Sequence, residues 1–138
     1  MKILVTGSGS YIGEEVSKYI LNNTFNWQII QLDVQNDSWK DFDFSGFDSV
    51  FHVAGIAHRK ITPENESLYY KVNRDLAVEI AKKAKSSGVS QFIFMSSMSV
   101  YSDSLSYINI DSPTKPDNAY GTSKLQAEQE LLRIADSS

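Results

Sequence analysis

Strand-like and helix-like segments alternate along this 138-residue chain, and the alternation predicts an α/β fold with a doubly wound, mostly parallel sheet. Two further observations support that class. Short aliphatic runs end at glycine or small polar residues, as buried parallel strands do. The longest helical pattern, over 66–87, stops at Gly88 just before the next such run.

Each element has its own signal. Lys2–Thr6 is a β-branched and aliphatic run closed by Gly7, hence a buried strand, and residues 7–13 form a glycine- and serine-rich turn. Ile12, Val16, Tyr19 and Ile20 then recur at helical spacing until Asn22 and Asn23 stop the helix. Residues 27–34 read as a second strand carrying Asp33 at its end. Residues 36–46 read as a short helix or turn spaced by Trp39, Phe42 and Phe44. A third strand covers 49–54 and closes at Gly55, followed by a polar loop over 56–65. Leu68, Val72, Leu76, Ile80 and Ala84 mark one face of the helix over 66–87. The fourth strand is 91–95. A serine-rich turn and a loop over 102–116 lead to a last helix over 117–135, with Pro116 and Asp117 as its starting signals.

Composition narrows the function classes. A hydrophobic fraction of 41% and a charged fraction of 22% are those of an ordinary globular domain. The net charge of −4, without long runs of like charge, gives no support to nucleic-acid or polybasic membrane binding. The absence of cysteine excludes disulfides, thiolate metal sites and cysteine catalysis, and fits a cytoplasmic location. No apolar run approaches the ~20 residues needed to span a bilayer. The two histidines make no metal spacing with a carboxylate, so no metal is expected. The chain reads as one soluble domain.

On a doubly wound sheet, ligands bind at the carboxyl ends of the strands. The turn TGSGSYIG (6–13) stands at the first of these ends. A tight turn there aims backbone N–H groups and the helix dipole at a pyrophosphate. Gly7 makes the turn and Gly13 allows close packing of helix on strand, although small residues also serve any sharp strand-to-helix connection. Asp33 lies 20 positions after Gly13, where its carboxylate accepts from ribose hydroxyls. That carboxylate repels a 2′-phosphate, and Val34, Gln35 and Asn36 supply no cation. NAD is therefore expected over NADP.

Tyr120 and Lys124 are four apart at the start of the last helix and share a face. An ammonium near a phenol favours the phenolate and makes the tyrosine a usable proton shuttle. Ser97 follows the fourth strand, within reach of the same substrate oxygen. Its neighbours Ser96 and Ser99 are read as capping or turn hydroxyls.

With these motifs, the chain resembles the extended short-chain dehydrogenase/reductases, in particular the NAD-dependent epimerase/dehydratase group that includes UDP-glucose 4-epimerases. The matching stretches are TGSGSYIG (6–13), DSVFHVAG (48–55), KVNRDLA (71–77), FIFMSSMSVY (92–101) and YGTSK (120–124), in the family's order. The resemblance implies a Rossmann-like NAD(P)-binding domain over 1–138. Its cofactor contacts would be Gly7, Ser10, Tyr11, Ile12, Gly13, Asp33, Ala54, Gly55, Asn73, Tyr120 and Lys124. Asn73 would support the active-site helix, Ser97 would be the catalytic serine, Tyr120 the acid/base, and Lys124 would bind the nicotinamide ribose. The implied reaction is hydride transfer at a carbon of a nucleotide sugar, with Tyr120 taking the hydroxyl proton.

Three departures from the family pattern stand out. Ser10 occupies a position the family gives to glycine, where it either crowds a pyrophosphate or donates to it. The interval between Asp33 and the third strand lacks one strand-helix unit, which also allows Asp33 to match the family's adenine-contacting aspartate. The chain stops at Ser138, before the remaining strands and the substrate domain, and so reads as the N-terminal portion of a longer enzyme or a natural truncation of one. The resemblance further permits a homodimer built by helices 66–87 and 117–135. An NADP-dependent sugar-nucleotide reductase and a non-catalytic nucleotide-binding regulatory module are the competing readings. His52 reads as a packed core histidine, His58 as a loop residue, and Lys82, Lys83 and Lys85 as a solvated helix end.

Overall fold

The computed structural model describes residues 1–23, 26–57 and 60–135. The loop position of His58 and the last residues of the chain, 136–138, lie outside the described residues. The fold is α/β and Rossmann-like, with four parallel strands in the order β2-β1-β3-β4: β1 (Lys2–Thr6), β2 (Gln28–Leu32), β3 (Ser49–His52) and β4 (Gln91–Phe94). Helix α1 is Tyr11–Asn22, a 3₁₀ turn covers Asp37–Asp41, and α2 (Glu66–Tyr69) leads into a π-helical stretch, Tyr70–Asp75, and then α3 (Leu76–Ser86). A second 3₁₀ turn, Met98–Val100, precedes α4 (Ala119–Ile134).

The chain divides into two compact units, Met1–Ala54 with Ile80–Met95, and Gly55–Glu79 with Ser96–Ser138. The first contains the sheet. Its central strands β1 and β3 are almost entirely buried, as continuous aliphatic runs covered on both faces must be. Ile3, Val5 and Phe51 form a cluster packed by Val16, Ile20, Trp27, Ile29, Val53 and Met95. β2 ends at Leu32, two residues short of the expected strand. There the Asp33 carboxylate accepts from the Gln35 amide and turns the chain out of the ladder.

Helix α1 presents a different face from the expected one. Val16 and Ile20 pack inward, but Ile12 and Tyr19 are exposed, while Gly13 and Ser17 are buried. Small residues let the helix approach the sheet closely, and Ser17 Oγ is satisfied by the Gly13 carbonyl at 2.6 Å. His52 is fully buried, with Nδ1 2.6 Å from Thr6 Oγ1 and its ring stacked between Phe92 and Phe94. It is a core residue. Lys83 reaches the Lys40 carbonyl and lies over the Phe44 ring, so it braces the first 3₁₀ turn.

In the second unit the π-helical stretch shifts the helix register. The Leu76 amide bonds to the Lys71 carbonyl five residues back. As a result Tyr69, Asn73 and Ala77 are buried, while Leu68, the first residue of the expected face, is exposed. Helix α4 begins at Ala119, two residues later than expected. Asn118 caps it by accepting from the Gly121 amide, whereas the Asp117 carboxylate accepts from Ser102 Oγ and the Asp103 amide.

Candidate active site

The first unit contributes the glycine turn. Gly7 has φ +109° and its amide donates to the Leu32 carbonyl at 3.0 Å, with the Ser8 amide at 3.3 Å from the same oxygen. A Cβ at Gly7 would lie 2.8 Å from the Ala54 nitrogen and 2.9 Å from its Cα, so only glycine fits there. Ala54 is buried against this turn. A Cβ at Gly13 would meet Val5 and Val53 at 3.2 Å, which measures how tightly α1 sits on the sheet.

Ser10 caps α1: its Oγ accepts from the Gly13 amide at 3.2 Å. That third role, besides crowding or donating to a phosphate, also explains how a side chain is accommodated at this point of the turn. Tyr11 and Ile12, in the first turn of α1, are exposed. Asp33 is exposed immediately after Leu32, whose carbonyl holds the turn. Gly7, Ser10 and Asp33 are therefore brought to the same ends of β1 and β2.

The second unit contributes Gly55, Asn73, Ser97, Tyr120 and Lys124. Asn73, fully buried in the π-helical stretch, accepts from the Ile56 amide at 2.8 Å and donates to the Ile56 carbonyl at 3.1 Å and to Ser123 Oγ at 3.2 Å. Ser123 Oγ in turn donates to the Tyr120 carbonyl at 2.8 Å. Asn73 thus ties the segment after Gly55 to the first turn of α4. A Cβ at Gly55 would lie 3.0 Å from Asn73 Oδ1 and 3.3 Å from Lys124 Nζ, so these two polar groups converge on a position without a side chain.

Lys124 is only 4% exposed. Burial pushes its ammonium down to about 8, partly opposed by the charge of Glu128. Tyr120, one turn earlier, is half-buried with its ring edge-on to Tyr69 at 6.3 Å. Ser97 caps the Met98–Val100 turn, its Oγ accepting from the Ser99 amide at 3.2 Å, and that turn packs against α4. Buried lysine, tyrosine one turn away and a nearby serine make an arrangement suited to proton transfer to or from an alcohol.

Three residues of this unit carry structural tasks that local patterns did not reveal. A Cβ at Gly121 would collide with the Ser99 carbonyl oxygen, so this glycine sets the approach of α4 to the turn holding Ser97. Ser123 links Asn73 to the helix. Ser96, expected as a capping or turn hydroxyl, instead donates to Glu128 Oε1. The partner of Ser96, Glu128, had one signal in the sequence, its spacing of four residues beyond Lys124, which puts the two on one helix face.

The model of the NAD dependent epimerase/dehydratase family matches residues 3–138. The chain is 30% identical to the UDP-glucose 4-epimerase of Bacillus subtilis, covering 99% of this chain and 49% of that protein. It is 26% identical to the UDP-glucose 4-epimerase of Corynebacterium glutamicum, covering 98% and 47%. Among solved structures, the UDP-Glc/GlcNAc 4-epimerase of Campylobacter jejuni superposes with a TM-score of 0.84 at 24% identity, covering 96% of this chain and 48% of that one. MoeE5 in complex with UDP-glucose and NAD superposes with a TM-score of 0.83 at 21% identity, covering 99% and 50%. These two likenesses show the fold, and the chain spans about half the length of the relatives it matches. With the family model matching nearly the whole chain, the protein belongs to the NAD dependent epimerase/dehydratase family.

Proposed function

We propose that residues 1–138 form the NAD-binding part of a sugar-nucleotide epimerase or dehydratase. The observation that carries this reading is the buried Lys124 one turn from Tyr120, converging with Asn73 on Gly55. The positions that would hold NAD fit such a group. The turn at Gly7 needs glycine and opens on the N-terminus of α1, a place favourable to phosphate. Gly55 leaves the Lys124 and Asn73 polar ends unobstructed by a side chain. In this reading Gly7, Ser10, Tyr11, Ile12 and Gly13 hold the pyrophosphate end, Asp33 the adenosine ribose, and Ala54, Gly55, Asn73, Tyr120 and Lys124 the remainder.

Bound NAD supplies the acceptor and donor of hydride at a sugar carbon. The chain's own residues manage the proton and the geometry. Tyr120 accepts the proton of the sugar hydroxyl as hydride leaves the carbon and returns it in the reverse step. Lys124, charged below about pH 8, stabilises the tyrosinate. Ser97 donates a hydrogen bond to the same sugar oxygen. Asn73 fixes the helix turn that presents Tyr120.

The homodimer is part of the proposal. An open groove of about 480 Å³ on the helices of the second unit is lined by Arg74, Asp75, Val78, Gln126, Gln129 and Glu130. It carries both charge signs, which a self-complementary two-fold contact could pair across its axis.

Titrating NADH and NADPH into the chain tests the cofactor reading. We expect saturable fluorescence enhancement with NADH and weaker binding of NADPH, because Asp33 meets the 2′-phosphate with like charge. Absence of any signal with NADH at millimolar concentration would remove the proposal.

A further inference from the structure

Tyr120, Lys124 and Glu128 stand at four-residue intervals and form one stripe along α4. On an exposed helix a lysine placed four residues before a glutamate gains little. Here the lysine is 4% exposed, Glu128 is half-buried, and Ser96 Oγ donates to Glu128 Oε1 from the other side. Partial burial strengthens the attraction between the two charges. The bond to Ser96 fixes the carboxylate on α4 and also ties the segment beginning at Ser96, which carries Ser97, to the same helix.

We propose that Glu128, held by Ser96, is the positioning residue for Lys124, its carboxylate serving as the counter-charge that keeps the buried ammonium in place one turn from Tyr120. Glu128 touches no reacting atom in this scheme. It acts through the lysine, and its bond to Ser96 couples the placement of Lys124 to that of Ser97.

Among the described residues, the elements packed on this stretch of α4 bring ionisable groups that are engaged with one another or exposed, Tyr70 lying under the Arg74 guanidinium. The Met98–Val100 turn packed on α4 has no ionisable side chain. The packed helix brings Glu66, Tyr69, Tyr70, Lys71, Arg74 and Asp75. Of these, Arg74 and Asp75 pair with each other at 2.6 Å, and Arg74 also bonds to Gln126. Glu66 and Lys71 are exposed, and Tyr69 faces Tyr120 with its ring edge. The Glu128 carboxylate raises the proton affinity of Lys124 against the effect of burial.

The catalytic sense of the pair rests on the Tyr120–Lys124 reading above, but its test does not. The 138-residue chain with isotopically labelled lysine is titrated by NMR, following the Lys124 ε-methylene and ammonium signals, in the wild type, Glu128→Gln and Ser96→Ala. Glu128→Gln is expected to weaken proton binding at Lys124 by about 3- to 10-fold, and Ser96→Ala to weaken it less, by about 2-fold. Amide spectra verify that each variant is folded. An unchanged Lys124 midpoint in folded Glu128→Gln overturns the proposal. If that variant does not fold, an unchanged midpoint in Ser96→Ala overturns it instead. Should NADH fail to bind the wild type while the Lys124 midpoint still moves, the cofactor reading falls and the charge pair stands.

Discussion

Replacing Lys124 by methionine is expected to stabilise the fold, and to do so only where the lysine is charged. In the native state the ammonium is 4% exposed, and burial lowers its proton affinity from 10.5 to about 8. A base whose folded-state value is depressed opposes folding. Below pH 8 the native state holds a buried charge and the full penalty applies. Between pH 8 and 10.5 the unfolded chain binds more protons, so native stability rises with pH, and above 10.5 the penalty is gone. At ~1.4 kcal/mol per tenfold change in proton affinity, the displacement corresponds to about 3 kcal/mol. Methionine keeps the apolar stem and the approximate volume without the charge. Glu128 loses its counter-charge in this variant, but it is half-exposed and retains the Ser96 hydroxyl, so it is not stranded. We expect a net gain of about 1–3 kcal/mol at pH 7, shrinking towards zero by pH 10.5. Urea unfolding of both proteins at several pH values from 7 to 10.5 measures it, since titrations common to both cancel in the difference. A variant no more stable than wild type at pH 7, or a difference that does not change with pH, refutes the reasoning.

Three further substitutions follow from the geometry. Gly121→Ala drives a methyl group into the Ser99 carbonyl oxygen and to 2.9 Å from Pro116 Cβ, so we expect a loss of about 3 kcal/mol in urea unfolding. Asn73→Leu removes its bonds to the Ile56 amide and carbonyl and to Ser123, and should cost about 2–4 kcal/mol, with faster amide exchange at Ile56 as its local signature. Thr6→Val withdraws the hydroxyl bonded to His52 Nδ1 inside the sheet, and a loss of about 1–3 kcal/mol in thermal or urea unfolding is expected.

The sheet was largely legible because its signals are local. β1 is an aliphatic run closed by a glycine, and β3 and β4 begin at the expected residues and end within two of the expected ends. The tyrosine and lysine of α4 were legible for the same reason, since a spacing of four fixes a shared face without any knowledge of the rest of the chain. What escaped was non-local. The buried face of the long helix is set by a π-helical register shift that puts Asn73 inside, where a hydrophobicity pattern looks for Leu76. The role of Gly121 depends on a carbonyl 22 positions earlier, and that of Ser96 on a carboxylate 32 positions later. The start of α4 was misplaced because Asp117, a good capping residue by type, is occupied by the Ser102 and Asp103 donors.

The two units bury different kinds of side chain, and that difference predicts the internal stability of each. Among the described residues, the first unit encloses Leu4, Val5, Trp39, Phe44, Val50, Phe51 and Ile80. The second encloses one large ring, Tyr69, with Val100 and three alanines, Ala77, Ala119 and Ala127, alongside the polar Asn73, Ser123 and Lys124. Large apolar side chains contribute about 1.5–3 kcal/mol each on burial, whereas alanines contribute little and a buried ammonium subtracts. In the proposed function Lys124 of this polar set serves the proton chemistry, while Asn73 and Ser123 fix the turn of α4 that carries Tyr120. A core poor in large apolar side chains would follow from placing that site inside. Native-state hydrogen exchange should therefore show the amides of β1 and β3 opening at higher free energy than those of Tyr70–Asp75 and α4. Lys124→Met should narrow the gap from the α4 side without altering protection in the sheet. Equal protection in wild type, or a uniform rise across both sets of amides in the variant, would show that the buried lysine does not govern the stability of its unit.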